Sequence, residues 1–332
     1  MKMNRNRQIV STTLSIAVML TLSLNSAFGI HANDGPELVI VEKNDVGLSI
    51  KGSVMYVDGQ ADEYVYAGHG AGVPSDYKVS ELNWDISSLW MVGGSGALQL
   101  GEYIRFNVGA WVGITDGDGG MKDYDWLDPN IPDWTHYSES EVDIEAAFSF
   151  DINASFKVFD LGACQIHGVV GNKHDFWEWS DMGGAYIYST DSGFRDDIGS
   201  FGGGNGIDYE QSFDIMYAGL KLPASSDILT ASAYAQYSPF VRAEDKDHHI
   251  YRNLYFTEDF EGGDYYAAGG ELSINLTDTI FLAASVDYQI IPEFTGDLTV
   301  KEGTHGEKST SKDAAGIGNE LLAISASAGL RF

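Results

Sequence analysis

The sequence predicts an all-β protein, a ten-stranded antiparallel β-barrel that crosses a membrane. Three observations support this fold class: long segments in which polar and apolar residues alternate, connections that alternate between short and long, and a composition of 39 Gly, 18 Tyr and 16 Phe among 332 residues. Glycine and aromatic residues favour tight turns and strands. After the first 33 residues no segment reaches the ~18 uninterrupted apolar residues of a membrane-spanning helix, which excludes a helical membrane protein.

The clearest alternation lies between residues 141 and 158, where the even positions are apolar and the odd positions are mostly polar. A soluble β-sandwich also alternates, but its strands are usually about 5 to 6 residues long. At about 3.3 Å per residue, the segment 141–158 extends roughly 60 Å. Even when tilted, such a strand exceeds the ~25 Å apolar band of an outer-membrane barrel. We therefore expect strands that project beyond the membrane.

Ten alternating segments follow one another along the chain. They cover residues 45–57, 80–100, 103–115, 140–158, 163–178, 208–221, 227–241, 264–276, 279–291 and 319–332. Short turns are expected at residues 101–102, 159–162, 223–226 and 277–278, and the other five connections are long. Short periplasmic turns, five long extracellular loops and an even strand count are typical of a bacterial outer-membrane barrel.

The N-terminus predicts a secretory signal peptide. Lys2, Arg5 and Arg7 precede a charge-free stretch with the apolar run IVSTTLSIAVMLTLSL, and the small-residue segment NSAFG follows. This order of a basic, an apolar and a small-residue region is that of a cleaved leader. A membrane anchor is the alternative, but Ser and Thr interrupt the run. We assign residues 1–29 to the signal peptide, with cleavage between 27 and 32, and residues 30–332 to one barrel domain.

The charge balance bears on possible partners. With 19 basic and 49 acidic residues the formal charge is -30, which disfavours binding to nucleic acid phosphates. Cys164 is the single cysteine, so disulfides within the chain and multi-cysteine metal sites are excluded. We expect Cys164 to face lipid near a short turn.

Two of the long connections carry concentrated polar chemistry. Asp123 and Asp125 stand two residues apart, and a later segment contains Asp245, Asp247 and the pair His248-His249. In an extended chain, residues i and i+2 share a face. On spacing alone these acids could equally be solvated turns. Two metal sites also stay open here: a calcium loop around residues 116–123, and a zinc site at the paired histidines with the neighbouring aspartates.

Five motifs together resemble the omptins, a family of outer-membrane aspartate/histidine endoproteases. They are ELNW (81–84), DYDWLD (123–128), GGAYIYS (183–189), GFRDDIGSF (193–201) and DKDHH (245–249). The resemblance covers essentially the whole chain after the leader. It implies a ten-stranded, vase-shaped barrel in the outer membrane of a Gram-negative bacterium, with its active site on the extracellular side.

By this resemblance, Asp247 and His249 match the catalytic dyad, and Asp123 and Asp125 match the facing carboxylate pair. Glu63 and Asp245 match the two acids that line the pocket for the P1 residue, the residue before the cleaved bond. The implied activity is hydrolysis of exposed peptides and proteins at basic residues, with an activated water as nucleophile. No metal and no cofactor are expected, and basic peptides or proteins are the expected partners of a monomer.

The family depends on lipopolysaccharide as an activator, bound by basic residues outside the barrel. At the matching positions this chain has Phe176, Ser212 and Glu261. We therefore predict weaker dependence on this outer-membrane lipid. Two other functions remain possible on the same barrel, an acidic porin and a surface adhesin without catalysis.

Overall fold

The computed structural model describes residues 46–69, 71–162, 164–303 and 306–332. These residues form one antiparallel sheet of twelve strands: β1 (Val46–Tyr66), β2 (Lys78–Leu100), β3 (Ile104–Gly113), β4 (Gly119–Asp125), β5 (His136–Asp160), β6 (Gln165–Thr190), β7 (Gly193–Ser200), β8 (Ile207–Ser225), β9 (Leu229–His249), β10 (Leu254–Asn275), β11 (Ile280–Glu302) and β12 (Lys308–Arg331). Within the described ranges no helix is long and apolar enough to span a membrane. The predicted signal peptide lies outside the described residues and stays a prediction.

The sheet closes into a barrel whose ring has ten positions. β1 pairs with both β2 and β12, which joins the two ends of the chain. β3 and β4 occupy successive halves of one position, because both pair with β2 and with β5. The break between them contains Gly117, whose φ of 65° suits glycine. β7 pairs with β6 alone among the described strands and extends the β6 hairpin beyond the ring.

The predicted all-β barrel is thus confirmed, and the ring of ten positions agrees with the ten segments. β4 and β7 are two strands that the alternation did not predict. Most other strands run farther than expected at the end away from the short turns, so β6 reaches 26 residues. The third short turn lies at residues 226–228, because Pro223 is still inside β8.

An apolar belt covers the outer face of the barrel. Exposed aliphatic and aromatic side chains alternate with inward polar ones along most strands, among them Val54, Ile104, Phe106, Ile152, Phe156, Leu220, Ile274, Leu282 and Ile324. A water-soluble sheet would hide these residues, whereas a barrel in lipid presents them.

One detail of the predicted alternation was wrong. Val142 and Ile144 were expected on the same face as Phe148, but both point inward and are buried. A β-bulge between Ile144 and Ala146 reverses the parity of β5. A bulge inserts one residue into a strand and so turns every later side chain to the other face.

The interior has two levels. Toward the short turns it is polar, with a Lys51–Glu271 ion pair and a 2.8 Å hydrogen bond between the hydroxyls of Ser53 and Ser327. Above this level, an apolar cluster draws on all ten ring positions and centres on Trp84, Trp177, Trp179, Tyr209, Phe213 and Phe260. The rings of Trp84 on β2 and Tyr209 on β8 stack at 4.8 Å across the lumen. We call these six aromatic side chains the aromatic plug; the candidate site lies directly above it.

Candidate active site

The upper strand ends bring all six predicted site residues to one end of the barrel. Glu63 lies on β1, Asp123 and Asp125 on β4, and Asp245, Asp247 and His249 on β9. The first acid and the two aspartates of β9 are 1 to 4% exposed, so their carboxylates are buried above the aromatic plug. Period-two alternation explains the shared direction of residues 245, 247 and 249.

Asp247 and His249 are in direct contact. The His249 Nε2 atom lies 2.6 Å from Asp247 Oδ2. The guanidinium of Arg252, in the turn after β9, lies closest to the other ring nitrogen, Nδ1, and its Nη2 atom is also 3.2 Å from Nε2. Because an arginine can only donate, we assign the closer nitrogen, Nδ1, as the acceptor and place the proton on Nε2, toward Asp247. This neutral tautomer is the form that can accept a proton from water.

The pKa of His249 agrees with a neutral imidazole. Burial and, after it, the positive charge of Arg252 together lower it to about 3, although the charges of Asp125 and Asp181 oppose them. The pKa of Asp247 is raised well above its ordinary value by burial, although Arg252 counteracts the shift. His249 is therefore uncharged at neutral pH and available as a base.

Asp123 and Asp125 form the second half of this arrangement. Ser80 on β2 donates a 3.1 Å hydrogen bond to Asp123 Oδ1. Burial raises the pKa of both aspartates, and each shift is reduced by the Ser80 hydroxyl. Asp123 also feels the charge of Asp247. The two pairs, on the separate strands β4 and β9, are thus close enough for their charges to interact.

A second acidic group lies beside the first. The Trp84 indole donates to Glu63 Oε2 at 3.3 Å, and the Tyr209 hydroxyl donates to Asp245 Oδ2 at 3.1 Å. Gln211 in turn donates to the Tyr209 oxygen at 2.8 Å. Burial raises the pKa values of Glu63 and Asp245 well above their ordinary values, and Glu63 adds repulsion at Asp245. We call this buried acidic group the acid pocket; the stacked rings of Trp84 and Tyr209 contact it.

Sequence reasoning missed Glu258 and Arg252. Glu258 lies on β10 directly opposite Asp245 and is 1% exposed. The sequence did contain a signal for Glu258, because this acid and the flanking Phe256 and Phe260 occupy alternate positions, which share one face of a strand. Arg252 gave no such signal, since a turn residue has no periodicity to place it.

Other candidates lie away from the site. The ring of His248 stacks on that of Tyr255 at 4.0 Å, on the opposite face of β9 from His249. Among the described residues, no three His, Cys, Asp or Glu side chains are arranged to hold a metal ion. Cys164 is partly buried in the turn between β5 and β6.

Comparison with known proteins places this geometry in a family. The model of the Omptin family matches residues 44–332. The chain belongs to the omptin family. It is 25% identical to the plasminogen activator of Yersinia pestis, covering 96% of this chain and 98% of that protein. It is 26% identical to the outer membrane protease IcsP of Shigella flexneri, covering 95% and 98%.

The fold agrees with a solved omptin structure. The outer membrane protease OmpT from Escherichia coli superimposes with a TM-score of 0.80 at 23% sequence identity, covering 86% of this chain and 97% of that one. These omptin relatives support a protease function in general terms and residence in the outer membrane, as predicted.

At the described positions where the resemblance leads us to expect basic residues, the outer face has Phe176, Ser212 and Glu261. The cations nearby are opposed by acids: the exposed Glu261 lies 3.6 Å from the Arg242 guanidinium, and Lys246 lies 2.7 Å from Glu244. The Ser212 hydroxyl donates to the carbonyl oxygen of Glu244 at 3.2 Å. His174 contacts Asp214 at 2.9 Å.

Proposed function

We propose that this omptin is an endopeptidase that cleaves exposed peptides and proteins at basic residues, with an activated water as nucleophile. The single observation that carries the proposal is the 2.6 Å contact between His249 and Asp247, close enough to Asp123 and Asp125 for their charges to interact. A base, its orienting acid and a facing pair of acceptors are what hydrolysis without a covalent intermediate needs.

Each residue then has a distinct role. Asp247 holds the proton on Nε2 of His249, which leaves Nδ1 to take a proton from water. Asp123 accepts the second water proton as a hydrogen bond and so orients the oxygen toward the peptide carbonyl. Asp125 stabilises the charge that forms on the imidazole. The exposed Arg252 side chain occupies Nδ1 in the free enzyme, and water replaces it when substrate arrives.

The acid pocket supplies the preference for basic residues. Glu63 and Asp245 are buried carboxylates with few donors, and a guanidinium or ammonium group would satisfy them by charge-assisted hydrogen bonds. An uncharged side chain would leave them desolvated and unpaired. We therefore assign Arg or Lys to the P1 position.

A porin is disfavoured by a specific contact. Gln211 on β8 donates to the carbonyl oxygen of Asp62 on β1 at 3.1 Å, across the ring. Together with the aromatic plug, this contact closes the lumen at the level of the site. A surface adhesin without catalysis would share this structure, so only a measurement of peptide cleavage distinguishes it from the protease.

The test uses the mature protein refolded in detergent. A library of basic peptides is incubated with the protein, and mass spectrometry maps each cut. We expect cuts after Arg or Lys that disappear in His249→Ala. No cleavage by folded protein, with and without added lipopolysaccharide, would favour the adhesin.

A further inference from the structure

The acid pocket contains a third carboxylate. Glu258 on β10 stands in register with Asp245 on β9, so the two side chains face each other across neighbouring strands. At 1% exposure it is as buried as its partner. Phe256 and Phe260, two residues away on either side, point the same way and place the carboxylate in an apolar wall.

Glu258 lacks a donor of its own. Within the described part of the chain, neither of its buried oxygens accepts a hydrogen bond from a hydroxyl, amide or cation. The Oδ1 atom of Asp245 is in the same state. Within the described residues, Trp84 and Tyr209 donate to the carboxylates of this pocket, and the carboxyls of Asp245 and Glu258 are hydrogen-bonded to each other, which requires a proton on one of them. The three acids therefore have two donors from other side chains and one proton held between Asp245 and Glu258.

The charges around Glu258 add repulsion to its lack of donors. Burial raises the pKa of Glu258 well above its ordinary value, and Asp245 and Glu63 raise it further by repulsion. Arg252 moderates the pKa shifts of Asp123 and Asp247, but every charged neighbour that acts on Glu258 is an acid. In the free protein, protons must neutralise part of this cluster.

A structural role does not explain this placement. A buried pair of carboxyls that must hold a proton between them costs stability, and a Gln at position 258 could donate to Asp245 without that cost. A group that destabilises the free protein is instead consistent with a ligand that supplies the missing donors.

We propose that Glu258 is a third specificity-determining residue of the acid pocket, and that the three carboxylates together bind the cationic end of an Arg or Lys side chain. This inference rests on the proposed function, since it takes the pocket to be the P1 site. Arginine suits it best, because its planar fork can donate to more than one carboxylate at once. When the cation enters, the pocket acids lose their protons to solvent.

The first measurement is kinetic. Glu258→Gln keeps size and shape but removes the charge, and Asp259→Asn is a matched control, because Asp259 is the next residue on β10 and is exposed on the opposite face. For peptides with Arg at P1, kcat/KM of Glu258→Gln should fall on the order of 10- to 100-fold, mainly through KM. Asp259→Asn should retain the wild-type value.

Melting temperature separates specificity from folding. Glu258→Gln should melt at or above the wild-type temperature at neutral pH, while losing affinity for basic substrates. Equal losses of kcat/KM for Arg and for uncharged P1 residues, or unchanged kcat/KM for Arg, would overturn the inference.

Binding without cleavage distinguishes this inference from the proposed function. In His249→Ala, titration calorimetry with arginine amide, repeated in buffers of different ionisation enthalpy, reports the protons released. We expect arginine amide to bind with proton release, and Glu258→Gln to weaken binding and release fewer protons. If this pattern holds while the wild-type protein cleaves no peptide, the role of the acid pocket is supported and the proposed protease function is refuted. If the wild-type protein cleaves after Arg and Glu258→Gln binds arginine amide normally, the protease function is supported and the role of Glu258 is refuted.

Discussion

Replacing His249 with alanine is the sharpest test of the catalytic arrangement. The ring stands 2.6 Å from Asp247 with its side chain 18% exposed, so one nitrogen binds the acid while the other lies toward the exposed Arg252 side chain. A positioned general base contributes roughly 10²- to 10⁴-fold to a rate. This range corresponds to about 2.7 to 5.5 kcal/mol of transition-state stabilisation. We expect a loss of that size in kcat, with little change in KM.

His248→Ala supplies a matched control from the neighbouring position. Its ring stacks on Tyr255 on the opposite face of β9, so the same substitution one residue away removes a histidine without touching the site. Both variants should migrate as folded, heat-modifiable barrels on gels. Rates are read with a quenched fluorescent peptide that contains one Arg. If His249→Ala retained a rate within a few-fold of His248→Ala, the assignment of the base would be refuted.

Glu63→Gln and Asp245→Asn should each lower kcat/KM for Arg and Lys at P1 by about 10- to 100-fold and that for uncharged residues less; equal losses would mean that these acids support the fold. As pH falls, the raised pKa values of the pocket acids should make them lose charge first, so kcat/KM for basic peptides should decline while His249 stays neutral down to about pH 3. Arg252→Gln should raise the pKa of His249, seen by NMR titration, and an unchanged pKa would contradict the contact. Lipopolysaccharide titrated against the refolded protein should raise the cleavage rate only modestly, and a strict requirement for it would refute the inference from Phe176, Ser212 and Glu261.

The alternation of polar and apolar residues predicted most of the barrel, because every strand in lipid needs one apolar face toward the lipid and one face toward the interior. It failed at β4, where Gly119 and Gly120 stand in an acidic, glycine-rich stretch that is typical of a loop. The pairing of that stretch with both β2 and β5 is a tertiary effect that no local pattern records. The bulge after Ile144 was hidden for a similar reason, since a reversal of parity is invisible when apolar residues lie on both sides of it.

The candidate site, like the fold, could be predicted only in part from the sequence. Asp247 and His249 could be paired from their spacing, because a strand puts them on one face. Their closeness to Asp123 depends on the curvature of the ring, so only the resemblance to a family supplied it. Glu258 matched no motif, and its importance appears only when the strands place it opposite Asp245.

The aromatic plug links the fold to the proposed chemistry. Trp84 and Tyr209 exclude water from below the acids, and this desolvation is the first cause of the raised pKa values of Glu63 and Asp245. Where water is excluded, a fixed charge also acts more strongly on an opposite charge that enters. The same burial that makes these carboxylates unfavourable in the free protein therefore strengthens their interaction with a cationic side chain. An open lumen would weaken both effects, so the closed barrel is part of how the site would select a basic residue.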